Sequence, residues 1–422
     1  MKQSSLMKTK LNNHNICFTV LMAMIWSESI LLTFIRAVIM KIPRIWKHAD
    51  MIITIFYLAF FLLSILEAAK ELYVNEIALV FLFYMIFGIH YVLFPKNAIY
   101  YEESAIQVMS RNFPMFLVGI CTFRIRREET LKILYFISLL TIFVYGGYMF
   151  IIGNANSDAM KIGDMHTAYM LLPHLCFVFS AVLKKANPCN IVAFALGSLL
   201  LLFLGNRGSL LCLGVYVIFS ILLSGRLKHP ILFLVFATAF MLSLFSFGLL
   251  DYLYNLAEKY GFSLRIFQKL ENGEITTSTG RDRIYARVME QIKMYPLLGL
   301  GIFSDQRVAG GLYAHNIFLE FMINYGVVIG VGLLVAVLHL FVNGFLYLRK
   351  TNQFEALDFY TSVFFSCCFK LILSNSYLLE PYFFFAMGFA YAAVGERNRL
   401  RRKPEMKRGL KQISERGDTC EQ

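Results

Sequence analysis

Long apolar runs separated by short polar segments make up most of this chain. An apolar run of about 20 residues is long enough to cross a bilayer as a helix, and the alternating pattern of a membrane β-barrel does not occur. We therefore predict an all-α polytopic membrane protein. About 12 spans are expected, near residues 16–40, 51–67, 77–95, 106–123, 131–152, 166–183, 189–204, 209–224, 230–250, 316–346, 356–373 and 377–394.

The positions of lysine and arginine predict how these spans are oriented. Basic loops at Arg124–Lys132, Lys184–Pro188, Gly225–His229 and Leu348–Lys350 alternate with loops poorer in basic residues. Basic loops stay in the cytoplasm, so we place both termini, including the basic tail 395–422, on the inner side of a bacterial inner membrane. The basic loop 41–50 then falls outside; either the first helices are drawn wrongly or this loop is positive for another reason.

Composition supports a single integral membrane domain over residues 1–422. Hydrophobic residues make up 58% and charged residues 16% of the chain, and the mean hydropathy is +0.61. The net charge of +13 comes largely from the loops and the tail, so it does not indicate a nucleic-acid partner. The eight cysteines show no spacing typical of a metal site or a disulfide framework.

The longest hydrophilic segment, residues 251–315, is predicted to be a large outer loop that contains an amphipathic helix. Between Arg281 and Tyr295 the apolar residues recur at helical spacing, as Ile284, Val288, Ile292 and Tyr295. Thr279, with Gly280 beside it, is a suitable N-cap. This places Arg281 in the first turn, where the arginine and the helix N-terminus together favour an anion, phosphate above all.

Two further residues with candidate chemistry fall on the same outer side. Arg207 lies in a tight hairpin, "GNRG" at 205–208, between two apolar runs, where a cation is costly. His315 lies where the chain re-enters the membrane and suits a general base, with Asn316 and Glu320 close enough to orient it.

Each signal also has a simpler interpretation. Arg207 alone could extend its charge to the interface, Arg281 could be a solvated charge, and His315 could merely cap the next helix. The functional interpretation depends on their occurring together on one side.

The order of four short motifs resembles the O-antigen polymerase/O-antigen ligase family of GT-C type membrane glycosyltransferases. The motifs are "RG" at Arg207–Gly208, "TGR" at Thr279–Arg281, "YPLLGLG" at Tyr295–Gly301 and "HN" at His315–Asn316. The resemblance implies a GT-C-like fold and an inverting enzyme without cofactor or metal, active at the outer face of the membrane. The donor would be an oligosaccharide on undecaprenyl diphosphate.

The resemblance also implies roles for individual residues. Arg207 and Arg281 would hold the donor diphosphate through guanidinium–phosphate contacts. His315 would take the proton of the acceptor hydroxyl. Gly280 and Gly301 would allow the backbone to approach the substrate closely.

Three functions are compatible with the sequence. The leading hypothesis is a polymerase that moves the growing glycan onto the next lipid-linked repeat unit of O-antigen or capsule. The closest alternative is a ligase that moves the finished glycan to lipid A core or another acceptor. A flippase for lipid-linked oligosaccharide is less favoured, because a transporter concentrates polar residues near the bilayer midplane. Expected partners are the lipid-linked donor and acceptor, membrane lipid, chain-length regulators and flippases.

Overall fold

The structure is a computed structural model that describes residues 72–125, 127–152, 165–204, 206–223 and 280–398, together with 18–20, 22–28 and single residues at 55, 59, 62, 63, 66, 252 and 255. These residues are predominantly helical and contain no strand, which confirms the all-α prediction. The predictions for the loop 41–50, the span 230–250, Thr279 and the tail beyond 398 fall outside the described residues.

The first half of the described chain consists of apolar helices joined by short turns. In chain order they are α1 (Val74–Leu93), α2 (Ala98–Gln107), α3 (Met115–Arg124), α4 (Arg127–Ile152), α5 (Met165–Lys184), α6 (Pro188–Phe203) and α7 (Arg207–Leu223). Asn187 caps α6 by accepting a hydrogen bond from the backbone of Asn190 at 2.8 Å. The helices α4 to α7 pack around a shared apolar core, to which each contributes buried side chains.

The second half contains shorter helices between longer ones. They are α8 (Arg281–Met294), α9 (Ser304–Ala309), α10 (Ile317–Tyr325), α11 (Val327–Lys350), α12 (Phe354–Val363) and α13 over residues 381–398. The amphipathic helix predicted from Arg281 is confirmed as α8. Its buried residues are Val288 and Ile292, which lie on the predicted apolar face.

Four described helices are long and apolar enough to cross a membrane: α1, α4, α5 and α11. The helices α6 and α7 are apolar but shorter. Large apolar side chains on α1 and α11 point outward; Val92 is 75% exposed and Val328 is 71% exposed. Such surfaces suit contact with lipid, since apolar side chains lose nothing in hydrocarbon. The count of about 12 spans and the GT-C fold stay predictions.

Several predicted spans are interrupted in the structure. The span predicted over 316–346 is divided at Gly326 into α10 and α11. The span predicted over 106–123 contains a π-helical turn, Val108–Asn112, before Pro114. The span predicted over 356–373 leaves α-helical geometry after Val363, through a π-helical turn at Phe364–Cys368 and a 3₁₀ turn at Phe369–Ile372. Apolar composition alone did not indicate these breaks.

Two glycines allow α3 and α13 to pack with their backbones in contact. A Cβ on Gly119 would overlap the carbonyl of Phe385, and a Cβ on Gly388 would overlap the carbonyl of Phe116. Small residues that permit such close approach are typical of helix pairs in membranes. The contact helps to fix α13, and with it the residues that precede it in the chain.

Candidate functional site

The helix α8 begins with the cationic residue Arg281. The residue before it, Gly280, has a left-handed backbone conformation that favours glycine. Gly280 takes the N-cap position with φ of 84° and provides no side-chain cap. It is exposed, and a Cβ there would meet nothing within 4 Å. Arg281 follows in the first turn, half-buried, and its Nη1 donates a hydrogen bond to the carbonyl of Leu373 at 2.5 Å.

That carbonyl is available because the chain between α12 and α13 is not a regular helix. We call residues 364–380 the unwound segment; it contains the π-helical and 3₁₀ turns and Asn375, with φ of 69°. Its buried Lys370 forms an ion pair with Glu380, which also accepts a hydrogen bond from Asn375 at 3.2 Å. The ion pair supplies the partner that a lysine inside an apolar stretch requires, and it ties the middle of the segment to its last residue.

His315 lies in the turn before α10, near enough to Arg281 to interact with its charge. Its backbone is left-handed, with φ of 52°, a conformation uncommon for residues other than glycine. Among the described residues its buried Nδ1 has no hydrogen-bond partner, and its ring meets that of Tyr313 edge to face at 5.1 Å. Burial, and then the charge of Arg281, lower the pKa of His315 to about 4. At neutral pH the imidazole is therefore uncharged and able to accept a proton.

Asn316 ties this turn to the unwound segment. Its side-chain oxygen caps α10 by accepting from the backbone of Phe318 at 3.0 Å and Leu319 at 3.3 Å. Its amide nitrogen donates to the carbonyl of Ile372 at 3.4 Å. The residue after His315 and the arginine at the start of α8 thus bind adjacent carbonyls, at 372 and 373.

Glu320 has a different environment from the one predicted. Its buried carboxyl accepts a hydrogen bond from the hydroxyl of Ser376 and another from the backbone of Tyr377 at 3.2 Å. The structure therefore gives Glu320 the task of holding the unwound segment against α10. No hydrogen bond to His315 is present among the described contacts of Glu320.

Gly301 likewise has a packing environment. Its φ is 86°, and a Cβ there would overlap the ring of Phe94. The "YPLLGLG" motif, which ends at Gly301, folds back on the α10–α11 junction through the backbone bonds Leu300 to Ile323 at 2.8 Å and Val327 to Pro296 at 2.7 Å.

Arg207 is connected to this region through Tyr169. Arg207 is the first residue of α7 and is half-buried. The hydroxyl of Tyr169, on α5, occupies the place that a side chain on Gly208 would take. Tyr169 also interacts with Ser374 and with the charges of Lys370 and Arg281. The starts of α7 and α8 therefore both adjoin the unwound segment.

Residues 192–352 of the chain match the family model described as O-antigen ligase. This segment, less than half of the chain, is similar to the O-antigen ligase family. The resemblance recognised in the four motifs is thereby confirmed. The matched residues include Arg207, Arg281 and His315, whereas Tyr169 and the whole unwound segment lie outside them. Among curated proteins, no sequence matches this chain.

Similarity to the O-antigen ligase family, together with the apolar helices, points to a membrane enzyme of glycosyltransferase type. Within the described ranges, no group of three or more His, Cys, Asp and Glu side chains could hold a metal ion. Five of the described cysteines are buried, and Cys189 is exposed.

Sequence reasoning overlooked Asp305, which is buried beside the site. Its Oδ2 accepts a hydrogen bond from the backbone of Ala314 at 2.9 Å, one residue before His315. Burial raises the pKa of Asp305 to about 6. In the sequence this aspartate is one charge in a hydrophilic loop, and no spacing distinguishes it from solvated neighbours.

Proposed function

We propose that this protein is a bacterial surface-polysaccharide polymerase, which transfers a glycan from undecaprenyl diphosphate onto the next lipid-linked repeat unit. The observation that carries the proposal is that Arg281 and Asn316, the residue after His315, bind the adjacent carbonyls at 373 and 372, which brings the guanidinium near the imidazole. A guanidinium at a helix N-terminus favours a phosphate group. A neutral histidine beside it is in the protonation state that a general base needs.

The proposed reaction is a single displacement with inversion at the anomeric carbon. The acceptor hydroxyl oxygen attacks the anomeric carbon of the donor sugar, and its proton passes to the unprotonated nitrogen of His315. The bond between that carbon and the diphosphate oxygen breaks, and the electron pair leaves with the diphosphate. Arg207 and Arg281 would hold the diphosphate and stabilise its developing charge. These residues would supply both leaving-group stabilisation and the base.

Donor binding would also prepare the base. In the free protein, the charge of Arg281 contributes to lowering the pKa of His315. An anionic diphosphate beside Arg281 offsets that charge, so the basicity of His315 rises when the donor is in place. The histidine is then a better proton acceptor in the complex than in the empty site.

The second candidate is a ligase, which transfers the finished glycan to lipid A core or another terminal acceptor. The matching family model, described as O-antigen ligase, favours it. Both reactions use the same donor group and the same base, so the candidates differ only in the acceptor. In either case we place the protein in the inner membrane with both termini cytoplasmic and the site facing the periplasm.

The test compares surface and lipid-linked glycan, separated on gels, in a strain that lacks the protein and is complemented with variants. Wild type should restore a ladder of chain lengths, whereas His315→Ala and Arg281→Ala should not. His339→Ala and Arg287→Ala are matched controls, since His339 is exposed on α11 and Arg287 is exposed on α8. Both controls should restore the ladder.

The glycan that accumulates in the deficient strain distinguishes the candidates. Single repeat units on the acceptor without a ladder would support the polymerase. Long chains retained on the lipid carrier, above an unmodified acceptor, would support the ligase. Repeats trapped on the cytoplasmic side would indicate transport and contradict both enzymes. An unchanged ladder in the deficient strain would overturn the proposal altogether.

A further inference from the structure

Tyr169 is the residue on which the separate parts of the candidate site converge. It lies on α5, half-buried, outside the segment that matches the O-antigen ligase family model. Its hydroxyl fills the space beside the Cα of Gly208, directly after Arg207. The same side chain forms a hydrogen bond with Ser374 of the unwound segment.

The ring of Tyr169 is held from the other side by a cation. The ammonium of Lys370 lies over the ring, 5.3 Å from its centre, at a distance typical of a cation–π contact. Lys370 is in turn paired with Glu380, so its charge is compensated within the protein. The ring is thereby fixed, and with it the position of the hydroxyl.

Packing alone does not account for a tyrosine at this position. A phenylalanine would fill the same volume and make the same contact with Lys370. The hydroxyl adds a polar group that has to be satisfied when it is buried, and it adjoins Gly208 on α7 and Ser374 in the unwound segment. The adjacent residue of that segment, Leu373, accepts the hydrogen bond from Arg281. The hydroxyl therefore stands between the elements that carry the two arginines.

We infer that Tyr169 is a positioning residue that sets the separation of Arg207 and Arg281, and so adapts the site to two linked phosphates rather than one. This inference rests on the proposed function, since it concerns how the same diphosphate is held. Two arginines at a fixed separation engage a diphosphate together, whereas a monophosphate engages only one of them well. Loss of the hydroxyl loosens α7 relative to the unwound segment and reduces that selectivity.

The experiment measures the binding of two lipids to the purified full-length protein by native mass spectrometry. The probes are undecaprenyl diphosphate and undecaprenyl monophosphate, which have the same tail and differ by one phosphate. The variant Tyr169→Phe removes the hydroxyl and keeps the ring under Lys370. We expect its preference for diphosphate over monophosphate to fall by roughly 2- to 10-fold, as expected for the loss of one hydrogen bond.

The matched control is Tyr216→Phe. Tyr216 is a buried tyrosine on α7 whose hydroxyl lies 3.1 Å from that of Ser362, so this variant also loses a buried hydroxyl bond. It should keep the wild-type lipid preference, even if its melting temperature falls. A second variant, Ser374→Ala, removes the partner of Tyr169 from the opposite side and should reproduce the effect of Tyr169→Phe. It provides the test if Tyr169→Phe does not fold.

The outcomes separate this inference from the function on which it rests. If wild type shows no preference for the diphosphate lipid, the proposed donor site is wrong. If wild type shows the preference and both Tyr169→Phe and Ser374→Ala retain it, the positioning role of Tyr169 is wrong while the donor site stands. A reduced preference that is shared equally by Tyr216→Phe would also overturn the inference, because any lost hydroxyl would then suffice.

Discussion

The low pKa of His315 predicts that kcat/KM of the enzyme falls only at low pH. The pH dependence of kcat/KM reports the free enzyme, in which burial and Arg281 lower the pKa of this histidine to about 4. At pH 5 a base with that pKa is about 90% neutral, whereas a histidine with the ordinary pKa of about 6.5 would be only about 3% neutral. The structure therefore predicts that kcat/KM at pH 5 retains about 90% of its neutral-pH value, whereas an enzyme with an unperturbed histidine would retain about 3%.

The assay follows polymerisation by the purified protein in nanodiscs, with lipid-linked repeat units as substrate, between pH 4 and pH 8. In wild type, kcat/KM should stay nearly level down to pH 5. Because bound diphosphate offsets the charge of Arg281, kcat should decline at a higher pH than kcat/KM does. The residual rate of His315→Ala should be the same at every pH and serves as the baseline.

A variant of the neighbouring arginine tests the cause of the shift. Arg281→Gln should bind donor weakly, and the acid limb of its residual kcat/KM should move to higher pH. Burial is the larger cause, so the limb should stay below the ordinary histidine value. A wild-type kcat/KM that halves near pH 6.5 would refute the reasoning, because His315 would then be neither buried nor near the guanidinium in the working enzyme.

Two further predictions concern stability, measured as melting temperature in detergent. Gly388→Ala should destabilise the protein by about 1–3 kcal/mol, because its Cβ would overlap the carbonyl of Phe116. Gly395→Ala on the same helix should not, because a Cβ there meets nothing within 4 Å. Equal melting temperatures for the two variants would contradict the close packing of α3 and α13. Lys370→Met leaves the carboxylate of Glu380 buried without its cation and should cost about 3–5 kcal/mol. The double variant Lys370→Met/Glu380→Gln should recover part of that loss. No recovery would show that the ion pair is not the cause.

The parts of this structure that follow from local patterns were predictable from the sequence. The apolar run at α1 and the four-residue spacing in α8 each indicate a helix. The helix α8 begins at Arg281, as expected. Hydrophobic periodicity acts over neighbouring turns, so it reports each helix without knowledge of the rest of the fold. His315 and Arg281 could also be proposed in advance, because both stand next to helix starts that the sequence marks.

The contacts that assemble the site were not predictable, because they join residues far apart in the chain. Glu320 bonds to Ser376 and Tyr377, although its sequence position beside His315 suggested a role in orienting the base. Tyr169 is one aromatic residue in an apolar helix, and no spacing relates it to Gly208. The breaks after Val363 and at Gly326 were missed because apolar composition measures length and not backbone geometry.

The unwound segment explains how loops from different parts of the chain reach one place. Regular helices leave no backbone acceptors free along their length, and an irregular backbone among apolar helices is tolerated only where other groups satisfy it. Here the carbonyls at 372 and 373 accept hydrogen bonds from Asn316 and Arg281. These two side chains therefore satisfy the acceptors of the irregular backbone, and the backbone in turn holds the two side chains in place. The relative position of His315 and Arg281 is therefore set by backbone atoms of a third segment. The side chains of Lys370, Ser374 and Ser376 hold that segment in place through Glu380, Tyr169 and Glu320.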